Sequence, residues 1–167
     1  MKLLYLQIIA NDLPEWSKHS LNLEEEIPSA ILKILHDKSF KNPTPIQKES
    51  LSIVNNGKDI IGIAETGSGK TLAYALPVIS AIIQGKISKD RLGALILCPT
   101  RELALQVSNE IQKISPIVDE ISNKVNVATL VGGMSVQKQQ RMLNRGSGAN
   151  IIVATPGRLW DVLMDVS

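Results

Sequence analysis

This sequence is poor in the residues on which many special chemistries depend. Aromatic side chains make up 3% of its 167 residues, so no platform for stacking splayed bases is visible. Any contact with nucleic acid then has to run mainly through the sugar-phosphate backbone. Neither sign of charge is in excess: 18 Lys and Arg against 16 Asp and Glu leave a net charge of +2, which argues neither for nor against a polyanionic partner. The lone cysteine, Cys98, excludes an internal disulfide and suits a reducing compartment. Within the apolar run Leu95-Ile96-Leu97-Cys98 it reads as a small buried hydrophobe. Two histidines, His19 and His36, lie far from Cys98 and make no metal-ligand spacing, so no zinc is expected. No apolar run is long enough to span a bilayer, and no membrane partner is expected. Residues 1–10 place one Lys before a short apolar run but lack a clear small-residue cleavage site. They read as a terminal strand or an ill-defined chain start, and the protein as intracellular and not secreted.

What is present is a core and a phosphate loop. A 44% hydrophobic content over this length suffices for one ordinary domain. The stretch Ala64-Glu65-Thr66-Gly67-Ser68-Gly69-Lys70-Thr71 follows the apolar run Ile60-Ile61-Gly62-Ile63 and precedes a helical pattern, Leu72, Ala75-Leu76, Ile79, Ile82-Ile83. A Gly-rich turn between a strand and a helix cradles phosphate: backbone N–H groups turn inward and the helix N-terminus adds its positive end. Lys70 supplies a point charge for the outer phosphates and Thr71 a hydroxyl for magnesium. The general pattern begins with Gly, and here Ala64 takes that position. A Gly-Ser turn followed by an exposed Lys is the plainer reading, and the flanking strand and helix argue against it.

The rest of the chain alternates regularly. Pro28 opens a helix with Ile31, Leu32, Ile34 and Leu35 on its apolar side, and a second helix starts near Pro45. Strands are expected at 59–63, 93–98, 125–131 and 150–154, each followed by a helix, at 70–84, 101–115, 135–144 and 157–165. Four such repeats imply a parallel sheet covered on both faces, with right-handed crossovers. Ligands bind at the carboxyl ends of strands in such sheets. That edge would collect the phosphate loop, Pro99-Thr100-Arg101-Glu102, Gly132-Gly133 and Thr155-Pro156-Gly157-Arg158.

Taken together with Phe40 and Pro43-Thr44-Pro45-Ile46-Gln47, these motifs resemble, in order and spacing, those of the DEAD-box RNA helicases, whose phosphate loop begins with Ala. The resemblance runs from about Trp16 to the C-terminus. It implies an α/β, three-layer RecA-like P-loop domain with a mainly parallel sheet, incomplete at its C-terminal end. Residues 1–38 would be an N-terminal lead-in segment and helix, and 39–167 a partial helicase ATP-binding domain. ATP and Mg2+ are the implied cofactors. Gln47 resembles the residue whose amide pairs with adenine, Phe40 would pack on the base, and Pro45 belongs to the same motif. Residues Ala64 to Thr71 would hold the phosphates, with Lys70 and Thr71 in catalytic roles and Thr71 on the metal. Pro99, Thr100, Arg101, Gly132, Gly133, Thr155, Pro156, Gly157 and Arg158 look like RNA-facing positions. Their hydroxyls, backbone N–H groups and guanidiniums suit phosphate and sugar oxygens, so RNA recognition would be sequence-independent. Singly, these motifs have ordinary readings: a charged helix start, a turn, an N-cap followed by Pro. Ser39 stands where the family has Gly. Trp16 has two readings, the family's isolated upstream aromatic or an anchor for the lead-in segment.

The run Val131 to Arg141, with Gly157-Arg158-Leu159-Trp160, resembles nucleolar members acting on precursors of the large ribosomal subunit. Pre-ribosomal particles and a nuclear or nucleolar location are thereby implied, together with a second helicase domain as partner in the longer protein. The Asp-Glu-Ala-Asp motif does not occur through Ser167. Because phosphoryl transfer depends on positioning water and stabilising spreading charge, the chain as given is expected not to hydrolyse ATP at a useful rate. Two other readings stay open. One is a non-catalytic nucleotide- or RNA-binding module; the other is a P-loop nucleotide kinase, which leaves Phe40 to Gln47 unexplained.

Overall fold

The computed structural model describes residues 4–6, 27–40, 42–54, 58–88, 91–115, 125–143 and 148–164. In chain order they form β1 (Leu4–Leu6), α1 (Ser29–Asp37), α2 (Pro45–Val54), β2 (Ile60–Gly62), α3 (Lys70–Ile83), β3 (Ala94–Leu97), α4 (Arg101–Ile114), β4 (Val127–Leu130), α5 (Val136–Leu143), β5 (Ile151–Ala154) and α6 (Pro156–Met164). All four expected strand-to-helix steps are present, with somewhat shorter strands. Trp16 and the run Glu24-Glu25-Glu26 lie outside the described residues.

Three strands form a parallel sheet in the order β3-β5-β4, with Leu95 and Ala128 both opposite Ile152. The runs Ala-Leu-Ile-Leu, Val-Ala-Thr-Leu and Ile-Ile-Val-Ala are apolar almost throughout, as suits a parallel sheet with helices on its faces; β4 and β5 are largely buried, whereas β3 buries Ile96 and leaves Leu97 exposed. The fourth expected strand departs from this plan. β2 does not pair with these three; it pairs antiparallel with β1, Tyr5 opposite Ile61. Strand-helix alternation along a chain records crossovers but carries no information about which strands become neighbours, and a short strand can take its backbone partners from a distant stretch.

One hydrophobic core runs through the molecule. Ile31 of α1, Leu51 of α2, Leu76 and Ile79 of α3, Val107, Ile111 and Ile114 of α4, and Ile96, Ile151 and Val153 of the sheet all belong to it. The sequence period of α4 puts Leu103, Val107, Ile111 and Ile114 on one stripe; the last three are buried with Ala104 and Ser108, while Leu103 is half-buried. Ser108 and Thr129 add a buried hydroxyl pair, 2.6 Å apart, between α4 and β4. At the amino ends of the parallel strands Asn150 acts as a clamp. Its carbonyl accepts from Gly93 and Ala94 N–H at 2.7 and 3.1 Å, and its side-chain oxygen accepts from Asn126 N–H at 3.0 Å. The carboxyl ends are thus left to the loops that carry the motifs.

Candidate functional site

The loop after β2 turns through two glycines with left-handed backbone, Gly67 at φ 87° and Gly69 at φ 88°. Only glycine adopts these angles at little cost. Gly69 is also the N-cap of α3, and a Cβ there would collide with the Gln47 amide. Ser68 closes the turn: its hydroxyl donates to Glu65 O at 2.8 Å. Lys70, the first residue of α3, folds back so that Nζ donates to Ala64 O at 2.6 Å and to Glu65 O. Its ammonium therefore sits on the loop's own carbonyls. Glu65, Thr66 and Gly67 are exposed, while Thr71 is half-buried at the second position of α3. One turn on, burial pushes the Tyr74 phenol up to about 12; the Thr71 hydroxyl pulls the other way and nearby Cys98 adds to the rise. The Thr71 hydroxyl does not reach hydrogen-bonding geometry, and Tyr74 Oη is buried without a partner.

α2 is hydrogen-bonded to this loop through its first turn. Thr44 Oγ1 donates to Ser68 O at 2.8 Å. Gln47, buried, accepts from Thr44 N–H at 2.9 Å through Oε1 and donates from Nε2 to Gly69 O at 3.1 Å. Pro45 begins the helix, where its missing N–H is harmless. Phe40 lies just past the end of α1, 49% exposed and outside this hydrogen-bonded unit. Ser39 before it has φ 62°, which is the physical reason a Gly suits that position.

A second cluster gathers the other three loops. Thr100 caps α4, its hydroxyl accepting from Leu103 N–H at 3.3 Å. Arg101 then reaches to β4's loop and donates from Nη1 to Gly132 O at 2.7 Å. Gly133, at φ 76°, lies so close that a Cβ would strike this guanidinium. Pro99 is exposed beside Thr100, and Thr155 N–H bonds to Leu130 O at 3.0 Å. Pro156 and Gly157 open α6, and Arg158 in its first turn donates from Nε to Gln139 Oε1 at 2.8 Å. Gln139 in turn donates to Val131 O at 2.8 Å. Gln139 is not among the residues that the motifs single out. It is buried on α5, a place where an amide has to find partners.

Among the described residues no group of three His, Cys, Asp or Glu could hold a metal ion. Thr71 offers a single hydroxyl, which would suit magnesium only as part of a phosphate complex, where that ion keeps several waters.

A left-handed glycine loop tied to a glutamine helix, and a parallel sheet whose carboxyl-end loops carry two arginines, define a class. Residues 44–167 match the DEAD/DEAH box helicase family, and the chain belongs to it. Among curated proteins, the ATP-dependent RNA helicase MAK5 of Kluyveromyces lactis is 43% identical over 151 residues, covering 90% of this chain and 18% of that protein. MAK5 of Saccharomyces cerevisiae is 40% identical over 154 residues, 91% of this chain and 19% of its own length. The chain thus spans about a fifth of these relatives. Solved structures agree in fold. The DEAD-box helicase Mss116 bound to ssRNA and UDP-BeF superposes with a TM-score of 0.74 at 33% identity, over 87% of this chain and 29% of that one. The yeast DEAD-box splicing factor Prp28 gives 0.73 at 34% identity, over 96% and 38%. The domain is α/β and RecA-like.

Proposed function

We propose that this chain is the ATP-binding and RNA-backbone-binding part of an ATP-dependent RNA helicase, which couples ATP binding and hydrolysis to local duplex unwinding. The observation that carries this is the bond from Gln47 Nε2 to Gly69 O. It makes the amide suited to adenine and the loop suited to phosphates one hydrogen-bonded unit, with Phe40 and Pro45 flanking it. An amide offers one donor and one acceptor side by side, the pattern that adenine's outer edge complements. Gln47 keeps a second N–H and a second lone pair for that edge after its two bonds here.

Residues Ala64 to Thr71 would hold the triphosphate, Lys70 exchanging the loop carbonyls for phosphate oxygens. Thr71 would supply the one protein ligand to Mg2+ from this chain. A bound nucleotide and its metal would supply the phosphoryl bond and the charge neutralisation; the loop would supply position and oriented donors. Pro99, Thr100, Arg101, Gly132, Gly133, Thr155, Pro156, Gly157 and Arg158 would face RNA phosphates and sugars. A second helicase domain closing over both ligands, a role on pre-ribosomal particles and a nucleolar location rest on the family resemblance, the last two on residues 131–141 and 157–160. We take residues 39–167 as the ATP-binding domain and 1–38 as its lead-in.

RNA-stimulated ATP hydrolysis by the full-length protein is the test. Lys70→Ala is expected to abolish it. Turnover equal to the parent's would reject Lys70 as the phosphate anchor.

A further inference from the structure

We infer that Gln139 is a positioning residue: it fixes the Arg158 guanidinium on the RNA-facing edge by tying it to the backbone at the end of β4. This rests on reading that edge as an RNA site. Gln139 lies on α5 and is 1% exposed, so both halves of its amide need partners. Nε2 donates to Val131 O and Oε1 accepts from Arg158 Nε, each at 2.8 Å. The orientation is forced. Turned over, the amide would set its oxygen against the Val131 carbonyl and its NH2 against a guanidinium N–H.

The contact spends only the inner nitrogen of Arg158. Nη1 lies 3.8 Å from the Asp161 carboxylate, which is 60% exposed and screened by water; the Arg158 side chain is itself 15% exposed, so a phosphate would have to meet the outer fork through that small accessible part. Arg101 is tied to the same segment directly, through Gly132 O. Two guanidiniums, from the ends of β3 and β5, are therefore set by consecutive carbonyls, Val131 and Gly132. Arg101 reaches its carbonyl itself; Arg158 needs the glutamine. A guanidinium held in advance loses less side-chain freedom when it meets a ligand.

The test is binding of a fluorescent single-stranded oligouridylate to the full-length protein, with a double-mutant cycle. Gln139→Leu removes both bonds and is expected to weaken binding about tenfold, the scale of one lost charge-assisted bond. Gln139→Glu keeps an acceptor for Arg158 but sets its second oxygen against the Val131 carbonyl, so it is expected to weaken binding less than Gln139→Leu does. In an Arg158→Ala background, Gln139→Leu is expected to have no further effect. Equal weakening in both backgrounds would mean that Gln139 only supports the fold, and would overturn the proposal. So would Gln139→Leu leaving affinity intact while Arg158→Ala lowers it. A second readout needs no RNA: hydrogen exchange at Arg158 Nε in protein labelled with heavy-nitrogen arginine. The exchange is expected to be slow in the parent and at least about tenfold faster in Gln139→Leu; unchanged exchange overturns the positioning role. If Arg158→Ala alone does not change RNA affinity, the RNA reading of this edge fails, and the exchange measurement decides the positioning claim by itself.

Discussion

The hydroxyl of Ser50 donates to the carbonyl of Ala73 at 3.3 Å, across the contact between α2 and α3. That carbonyl is the one that Pro77, four residues on within α3, leaves without a helical donor. Ser50 is buried, and its hydroxyl also lies 3.1 Å from Gln47 O. A polar link in an apolar interface thus sets the glutamine helix against the helix that follows the phosphate loop.

Ser50→Ala strands the Ala73 carbonyl in the interior and is expected to cost about 1 to 2 kcal/mol in urea unfolding. Pro77→Ala restores the helical N–H, so in that background the same substitution is expected to cost less than half as much. Equal costs in the two backgrounds would show that Ser50 does not serve this carbonyl.

Ser39 ends α1 in a Schellman arrangement. Its N–H bonds to His36 O at 2.9 Å, and Phe40 N–H bonds to Leu35 O at 2.8 Å, with Ser39 at φ 62°. Ser39→Gly removes the Cβ penalty and is expected to stabilise by about 1 kcal/mol, read as a higher thermal midpoint. A β-branched Val at this position is expected to lower it.

Tyr74 makes stability fall with alkali. Its phenol is raised to about 12 by burial, so between pH 10 and 12 the folded state holds a proton that the unfolded chain has released. The contribution is complete below pH 10 and lost as pH rises through about 12, on the order of 2 to 3 kcal/mol in all. Denaturant unfolding of the parent and Tyr74→Phe across that range is expected to show a steeper decline in the parent, since burial of the Cys98 thiol contributes to both.

Gly67 and Gly69 have nearly the same φ but different surroundings. No atom lies within 4 Å of a Cβ built at Gly67, whereas one at Gly69 meets the Gln47 amide and the Thr44 hydroxyl. Gly67→Ala is expected to cost only backbone strain, about 1 to 2 kcal/mol. Gly69→Ala is expected to cost more and to lower ATP affinity by displacing Gln47. Equal destabilisation in the two variants would show that Gln47 yields freely.

The strand-loop-helix unit at residues 60–83 was legible in the sequence because a Gly-Ser-Gly turn between two apolar periods leaves few alternatives. The later strands were legible for the same reason: continuous apolar runs with helical stripes between them. Sheet order was not. Nothing in Leu4-Tyr5-Leu6 marks it as the partner of Ile60–Gly62, since a backbone ladder between distant segments leaves no periodic trace. The motif residues could be named, but not what they hold. The Arg101 to Gly132 and Arg158 to Gln139 bonds depend on how three loops converge, and Gln139 looked like one more polar residue in Gln-Lys-Gln-Gln. Gln47's second job, bonding the phosphate loop, was hidden for the same reason.

Lys70 already has acceptors for its ammonium, Ala64 O and Glu65 O. A ligand entering the loop therefore competes with a bound cation instead of meeting a waiting one. On the proposed function the loop would act as a threshold: a singly or weakly charged anion offers little more than the two carbonyls it would displace, whereas a triphosphate offers several charged oxygens at once. Discrimination against inorganic phosphate and nucleoside monophosphate would then come from the work of pulling Lys70 away, with no group needed to repel them. It follows that Lys70→Ala is expected to weaken triphosphate binding far more than monophosphate binding, compressing the difference between the two in a calorimetric titration.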